Sequence, residues 1–426
     1  MPRVQLPILL PRLAAQRYSC HGCGNCCRDF TVQLRDDDLR VLRDQRWEQR
    51  LGEAVTVEFR GVTYLRQRDD GACIFLEPDG RCRIHAEFGL EAKPIACQLF
   101  PFSFAPGPDG VAIGLNFACQ SVLENKGAAL STHAADLRRM LASVPEAATR
   151  GAAPMLTRSL RAERAEVDAV TNVLDGWLAR PDLALDVRLD GLAWLVASLA
   201  AARLEKVRGE RFVELLATLV SALPGELDHV AVVEPPRGAW RMLRQAVFAR
   251  IEDVTIGEAA RRGRFRSVLS QLLRSRRFAA GRGAAPIRMH GWSASIAFEA
   301  VMRVEPVRDA TELAAIDDLL TRWLRATILG GRAWGGGHYG WAIVDGLQAL
   351  VLNLLATLWL ARAHAAGAGR DALALDDVRA ALGRVDRHAG RAPWLGSAGE
   401  RARIGYLQAT DAWRGLMAAL LASARR

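Results

Sequence analysis

Lysine is nearly absent from this chain. Only Lys93, Lys126 and Lys206 occur among the 57 basic residues of the 426-residue sequence, so arginine supplies almost all of the positive charge. The formal net charge is +10, and a basic surface can attract nucleic acid, anionic lipid or an acidic protein. No basic run with interleaved aromatic residues is present, so the sequence disfavours a nucleic acid partner. A protein substrate or protein partner stays open.

Uninterrupted hydrophobic segments are also missing. Pro7 and Pro11 break the N-terminal apolar stretch, which excludes the continuous apolar core of a secretory signal. The most apolar later segment, residues 347–361, contains Asn353 and is shorter than the roughly 20 residues that a membrane span needs. We therefore expect a buried core helix there, no membrane span and a cytoplasmic protein.

Common catalytic signatures are missing as well. The sequence contains no serine nucleophile elbow, no P-loop and no H-E-x-x-H motif. Half of its residues are hydrophobic, which is typical of a globular protein rather than a disordered one. Whether the chain is an enzyme stays open at this point.

Cysteine is absent after Cys119, and four of the eight cysteines are crowded between Cys20 and Cys27 with the spacing C-x2-C-x2-C-C. Because thiols stay reduced in the cytoplasm, such a cluster favours a bound metal over disulfides. Two-residue gaps point successive sulfurs at one centre, as in bacterial-type iron–sulfur sequences and tetrahedral zinc sites. The candidate metal ligands are Cys20, Cys23, Cys26, Cys27, Cys73, Cys82, Cys97 and Cys119.

The adjacent pair Cys26-Cys27 bears on the number of centres. Adjacent side chains usually diverge, so one thiol is expected to complete the first set while the other reaches a second metal or a separate iron. Eight thiolates fit two four-thiolate centres, or one centre with spare structural thiols. His85 follows Cys82 at C-x2-H spacing and is either a substitute ligand or a locally bonded side chain. The C-x3-C-x2-C spacing of radical enzymes is not met, because position 30 is Phe30.

Secondary-structure patterns divide the chain into two regions. In residues 1–125, two-residue alternation predicts strands at 55–59 and 62–65, separated by Gly61, and several turns make the region loop-rich. From residue 126 onward, apolar residues recur at three- and four-residue spacing, which is typical of helices. We therefore predict a mainly α fold, with a small loop-rich α+β cysteine-cluster domain (1–125) and an all-helical domain (126–426) of one or two subdomains.

Several segments of the second region carry more specific predictions. The clearest helix candidates are residues 192–204, 212–223 and 313–327, and predicted breaks include Pro224-Gly225 and residues 281–286. Arginine-rich stretches at residues 261–266 and 274–277 have helical spacing and predict a solvated helix face.

A glycine-rich segment, Gly330 to Trp341, is the best candidate pocket outside the cysteine region. Glycines allow a close backbone approach to a ligand, and exposed amides at a following helix start can hold an anion. No strand is predicted before it, so it is not a dinucleotide fingerprint, and a helix-to-helix connector is the competing interpretation. The candidate cofactor-binding residues are Gly335, Gly336, His338 and Tyr339.

The cysteine blocks also resemble a known family. In chain order they are Cys20-x2-Cys23-Gly24-x-Cys26-Cys27-Arg28, Gly71-x-Cys73-x-Phe75-Leu76, Gly80-x-Cys82-x-Ile84-His85 and Lys93-Pro94-x2-Cys97-x2-Phe100-Pro101-Phe102. Over roughly residues 18–120 this order resembles the YkgJ-type cysteine-cluster family, which is described as zinc- or iron-chelating. Related cysteine patterns occur in the flagellin lysine N-methylase, which is associated with an iron–sulfur cluster.

The resemblance implies that the seven cysteines from Cys20 to Cys97 are metal ligands, whereas Cys119 lies outside the core pattern. It implies a metal-binding protein that holds an iron–sulfur cluster, of the 4Fe–4S type by preference, or zinc. The alternative is a protein-lysine N-methyltransferase similar to the flagellin methylase, with S-adenosylmethionine bound near the helical body. A metallochaperone or metal-storage role is a third hypothesis.

Overall fold

The fold is mainly α with small sheets, as the sequence predicts. The computed structural model describes residues 6–11, 16–59, 61–144, 147, 149, 151–229, 232–252, 264–289 and 292–422. The arginine-rich stretch predicted at residues 261–266 lies outside the residues whose side chains are described.

The N-terminal part of the chain alternates short strands with short helices. Its strands are β1 (Ile8–Leu9), β2 (Arg17–Tyr18), β3 (Thr56–Phe59), β4 (Val62–Leu65), β5 (Phe102–Pro106), β6 (Val111–Leu115) and β7 (Ala128–Ala129). Its helices are α1 (Asn25–Asp29), α2 (Asp36–Asp44), α3 (Trp47–Leu51), α4 (Arg83–Phe88), α5 (Ile95–Leu99) and α6 (Gln120–Leu123). Strands β3 and β4 form an antiparallel hairpin, which confirms the two strands predicted from alternation.

Two pairings join the ends of this N-terminal part. Strand β1 is parallel to β6, and β6 is antiparallel to β5, so these three strands form one sheet. Strand β2 is antiparallel to β7, and Tyr18 lies opposite Ala128. The segment that precedes Cys20 therefore runs beside the segment that follows Cys119.

The rest of the described chain is a helical body. Its helices are α7 (Ala134–Ala142), α8 (Arg164–Leu178), α9 (Leu185–Ala201), α10 (Glu210–His229), α11 (Arg237–Ile251), α12 (Arg264–Ala280), α13 (Phe298–Arg303), α14 (Ala310–Leu329), α15 (Ile343–Gly367), α16 (Leu375–His388), α17 (Ala398–Ala409) and α18 (Ala412–Leu421). Helices α9, α10 and α14 confirm the three clearest helix predictions.

The helical body also contains a β-hairpin, so it is not all-helical as predicted. Strands β8 (Ala284–Met289) and β9 (Trp292–Ala297) are antiparallel and occupy the region where a loop break was expected. Ile287 and Ile296, one on each strand, are buried in the main hydrophobic core. This burial stabilises a hairpin that helical periodicity in the neighbouring sequence did not indicate.

The break predicted at Pro224 is wrong. Helix α10 continues through this proline to His229. Leu216 and Leu223 are almost fully buried in the main core. Their burial, with the packing of α10 against α8 and α9, offsets the roughly 3 kcal/mol that an interior proline costs a helix.

Helix α15 lies at the centre of the body. It has 25 residues and is the one helix in the described part of the chain with the length and composition to cross a membrane. It is longer than the segment expected from the sequence, but 94% of its most apolar window is buried inside the structure. It packs against α9, α11, α13 and α16, as a core helix does.

The hydrophobic side chains form two cores. The small core consists of residues between Leu34 and Ile84, with Trp47 and Phe75 at its centre. The main core contains the helical body and also residues 102–123 of the cysteine region. Hydrophobic packing therefore continues across residue 125, and a domain boundary at that residue stays a prediction.

Candidate metal centre

Seven of the eight cysteines line one cavity of about 690 Å³. Their positions are Cys20, Cys23, Cys26, Cys27, Cys82, Cys97 and Cys119. The eighth, Cys73, is buried beside the cavity, and its amide donates a hydrogen bond to the Cys27 carbonyl at 2.7 Å. All eight are free thiols rather than disulfides, so the structure brings together the residues that the sequence nominates.

The first cysteine block is a tight loop followed by one short helix. Gly22 and Gly24 adopt left-handed backbone conformations, with φ of 69° and 71°, and this turns the loop back towards Gly80. A Cβ atom on Gly80 would lie 2.6 Å from the Gly22 carbonyl oxygen, so the two turns touch through their backbones. Only glycine at position 80 allows this close approach, which places the loop against the second cysteine block.

Cys26 and Cys27 lie together on α1, and their sulfurs are 4.0 Å apart. Both thiols line the cavity. The divergence expected of adjacent side chains is therefore smaller than predicted, because the short helix places both at the cavity wall.

The second block, Cys73 to Cys82, forms a small knuckle. Isolated β-bridges join Gln67 to Cys73 and Leu76 to Cys82, so the chain reverses between the two thiols. Cys73 is buried in the small core, and Cys82 packs against that core. His85 follows on α4 and lines the cavity, so its role as a substitute ligand stays a prediction.

Two further elements bring in the remaining thiols. Cys97 lies within α5, whose first amide, on Ile95, donates to the buried Asp38 carboxylate at 2.9 Å. Cys119 caps the N-terminus of α6, and the Ser121 hydroxyl of that helix donates to the Ser19 carbonyl at 2.6 Å. Both helices are thus anchored by long-range hydrogen bonds beside the cavity.

The thiols are hard to ionise without a cation. Burial raises the pKa of Cys73 to about 11 and that of Cys119 to about 12, and it also raises the pKa of Cys97. For Cys26, the thiol of Cys27 and then burial raise the pKa. A metal ion supplies the positive charge that such a set needs, because binding drives thiolate formation.

Lys93 and Arg81 are cationic side chains that line the cavity, and Lys93 is the one most affected by the thiols. Burial works against its charge, but the neighbouring thiolates, those of Cys97 and Cys82 foremost, outweigh burial and raise the pKa of the ammonium group. Burial and Lys93 together lower the pKa of His85. The sequence pattern assigns no role to Lys93, although lysine occurs only three times in the chain and one of the three lies four residues before Cys97.

The donor set is soft and rich in sulfur, which suits zinc and iron–sulfur clusters alike. Within the described residues, no three His, Cys, Asp or Glu side chains converge closely enough to hold a single metal ion. Seven of the thiols instead line one cavity together.

The glycine-rich loop between α14 and α15 is compact. His338 is buried between the rings of Tyr339 and Trp341, and the Tyr339 hydroxyl donates to the His388 carbonyl at 3.0 Å. Burial, with help from two arginines, lowers the pKa of His338 to about 3. The cavity beside His338 holds only about 10 Å³, and Gly335 and Gly336 lie outside its lining. Cofactor binding by Gly335, Gly336, His338 and Tyr339 therefore stays a prediction that would require the loop to open.

Comparisons with known proteins agree with the N-terminal site. Residues 19–126 match the CxxCxxCC family model, described as "Putative zinc- or iron-chelating domain". The chain is 32% identical over 98 residues to "Uncharacterized protein MJ0939" of Methanocaldococcus jannaschii, a match that covers 22% of this chain and 33% of that protein. The chain thus spans about a third of the length of this curated relative. No solved structure matches the chain. Residues 19–126 therefore carry a metal-binding cysteine-cluster domain of the CxxCxxCC family, joined to a helical body that the match does not cover.

Proposed function

We propose that this protein holds an iron–sulfur cluster, of the 4Fe–4S type, through the thiolates of its cysteine-cluster domain. The observation that carries the proposal is the ring of seven thiols around one cavity of about 690 Å³. At a Zn–S bond length of about 2.3 Å, two sulfurs on one zinc lie at most about 4.6 Å apart. Cysteines bound to different irons of a cluster stand further apart around a larger inorganic core. Within the described part of the chain, no three donor side chains converge on a single ion, and this favours the cluster over zinc.

The charge at the site supports the same proposal. The thiols nearest Lys93 belong to three different blocks of sequence, and the ammonium group partly neutralises their negative charge. Net charge and hydrogen bonds around the sulfurs are among the features that set the reduction potential of a cluster. We therefore propose a structural or electron-carrying cluster at the junction with the helical body.

Metal and sulfide analysis of the full-length protein, purified without oxygen, tests this proposal. We expect iron and acid-labile sulfide in about equal amounts, with a brown colour from thiolate-to-iron charge transfer. The variant Cys26→Ser should lose iron and sulfide together, whereas the exposed control Val213→Ser on α10 should keep both in full. Zinc without sulfide would overturn the proposal in favour of the zinc alternative.

The alternative function is that of a protein-lysine N-methyltransferase similar to the flagellin lysine N-methylase. In this case S-adenosylmethionine would bind near the helical body. The cavity at His338 has room for only about one water molecule, so the glycine-rich loop would have to open to admit the cofactor. Calorimetry with S-adenosylmethionine on the metal-loaded protein, followed by a methyl-transfer assay on lysine peptides, tests this function. Binding heat with methyl transfer would support it, and the absence of both would remove it.

A further inference from the structure

We infer that the eight thiols form two four-thiolate metal centres that share the cavity, rather than one centre with spare cysteines. This inference rests on the proposed iron–sulfur function, because no three donor side chains of the described residues converge on a single ion. The inner set is Cys27, Cys73, Cys82 and Cys97. The outer set is Cys20, Cys23, Cys26 and Cys119.

The inner set is defined by the small hydrophobic core. Cys73 is a member of that core, and the other three thiols of the set pack against it. The Cys73 amide bonds to the Cys27 carbonyl at 2.7 Å, and the Leu76–Cys82 bridge closes the knuckle. Among the thiols whose negative charge raises the pKa of Cys97, those of Cys73 and Cys82 have the largest effect. Packing and electrostatics thus place these sulfurs on one side of the cavity.

The outer set is defined by the other core. Cys119 packs against the main core and not the small one. The β2–β7 pairing and the Ser121–Ser19 hydrogen bond bring its helix beside the residue that precedes Cys20. The Tyr18 side chain lines the cavity beside this set. After burial, the negative charges that raise the pKa of its hydroxyl are those of the four outer thiols, Cys20, Cys119, Cys26 and Cys23.

Cys26 and Cys27 are the point where the two sets meet. Their sulfurs are 4.0 Å apart, but Cys27 packs against the small core and Cys26 does not. The vicinal cysteines then have a reason to be adjacent, since each belongs to a different centre. The two sets also differ in access, because Cys20 and Cys23 are exposed whereas Cys73 is buried. The outer centre should therefore exchange metal with solution more readily than the inner one.

Four thiolates suit one 4Fe–4S cluster. Two centres therefore predict about eight iron and about eight sulfide per chain. The presence of iron with sulfide tests the iron–sulfur proposal, and the amount per chain tests this inference, so the two failures are distinguishable.

The experiment compares full-length protein reconstituted without oxygen with three variants. The outer variant is Cys20→Ser with Cys119→Ser, the inner variant is Cys82→Ser with Cys97→Ser, and the control is Val213→Ser. We expect each double variant to keep about half of the metal of the unchanged protein, and the control to keep all of it. The outer variant should also lose the fraction of metal that a chelator removes fastest.

Three results would overturn the inference. The first is a metal content in the unchanged protein that corresponds to one centre. The second is complete metal loss in both double variants, provided that circular dichroism shows the helical body still folded. The third is full retention in either double variant, which would show that its thiols are spare. If the inner variant unfolds, the single substitution Cys97→Ser is measured in its place, and the same half-loss is expected.

Discussion

Removing the negative charge of Asp386 should weaken the junction between the cysteine region and the helical body. Asp386 is 1% exposed, and its carboxylate accepts hydrogen bonds from the Phe117 amide at 2.6 Å and the Trp323 indole at 3.1 Å. It also pairs with the Arg332 guanidinium at 2.9 Å. The substitution Asp386→Asn keeps the shape of the side chain but leaves Arg332 buried without its counter-charge.

The magnitude follows from burial. Arg332 is 6% exposed, so water cannot replace the lost carboxylate, and breaking a buried pair in this way costs about 3–5 kcal/mol. The matched control is Asp376→Asn, on the same helix, which breaks the exposed Asp376–Arg379 pair of 3.0 Å. An exposed pair contributes about 0–1 kcal/mol. Urea unfolding followed by circular dichroism measures both losses in the free energy of unfolding.

The comparison measures how much the buried pair contributes to stability. We expect Asp386→Asn to lower the free energy of unfolding several times more than Asp376→Asn does. Similar small losses for the two variants would refute the reasoning, because they would show that Arg332 finds compensation elsewhere. The Leu115 carbonyl, which already accepts a bond from Arg332, is the nearest neutral candidate for that compensation.

Three more predictions follow from the site and the glycine-rich loop. Lys93→Gln should lower the reduction potential of a bound cluster by roughly 40 mV, because about 1 kcal/mol of charge attraction is lost. The control Lys126→Gln, at an exposed lysine, should leave the potential unchanged. A redox titration of both variants measures the difference. His338 resists protonation in the fold, so the unfolded state gains protons first as pH falls below about 6.5, and stability should drop by about 2 kcal/mol between pH 7.5 and pH 5. His338→Phe should flatten this pH dependence in urea unfolding, and an unchanged slope would contradict the assignment. Gly80→Ala should lower the free energy of unfolding by about 1–3 kcal/mol more than Gly71→Ala does. The φ angle is similar at both glycines, but an added Cβ meets backbone atoms only at position 80. Thermal unfolding and metal retention of the two variants test this difference.

The local features of this fold could be predicted from the sequence because their causes are local. Apolar and polar residues alternate at residues 55–65 because only one face of the hairpin is buried. The turns before Cys73 and Cys82 form at Gly71 and Gly80. The cysteine spacing likewise nominated the thiols that line the cavity. For the hairpin and the turns, the pattern and its physical cause lie within about ten residues of sequence.

The long-range features could not be predicted, because they depend on contacts between distant segments. Nothing near Pro224 indicates that α10 packs tightly enough to continue through it. Nothing in residues 102–123 indicates that they join the core of the helical body instead of the small core. The role of Lys93 also required the fold, since its thiol neighbours come from positions 26 to 97.

The way the helical body holds the last cysteine explains why two separate cores meet at one cavity. Arg322 of α14 is buried and donates to the carbonyls of Val122 and Leu123 at 3.2 Å, which clamps the helix that begins at Cys119. Asp386 holds the Phe117 amide just upstream of the same cysteine. The main core therefore positions Cys119, whereas the small core positions Cys73. A group bound both to Cys119 and to the thiols of the first cysteine block joins the two regions, and it stabilises their contact by its own binding free energy. Metal removal should for this reason loosen the junction first and leave the packing of α15 in place.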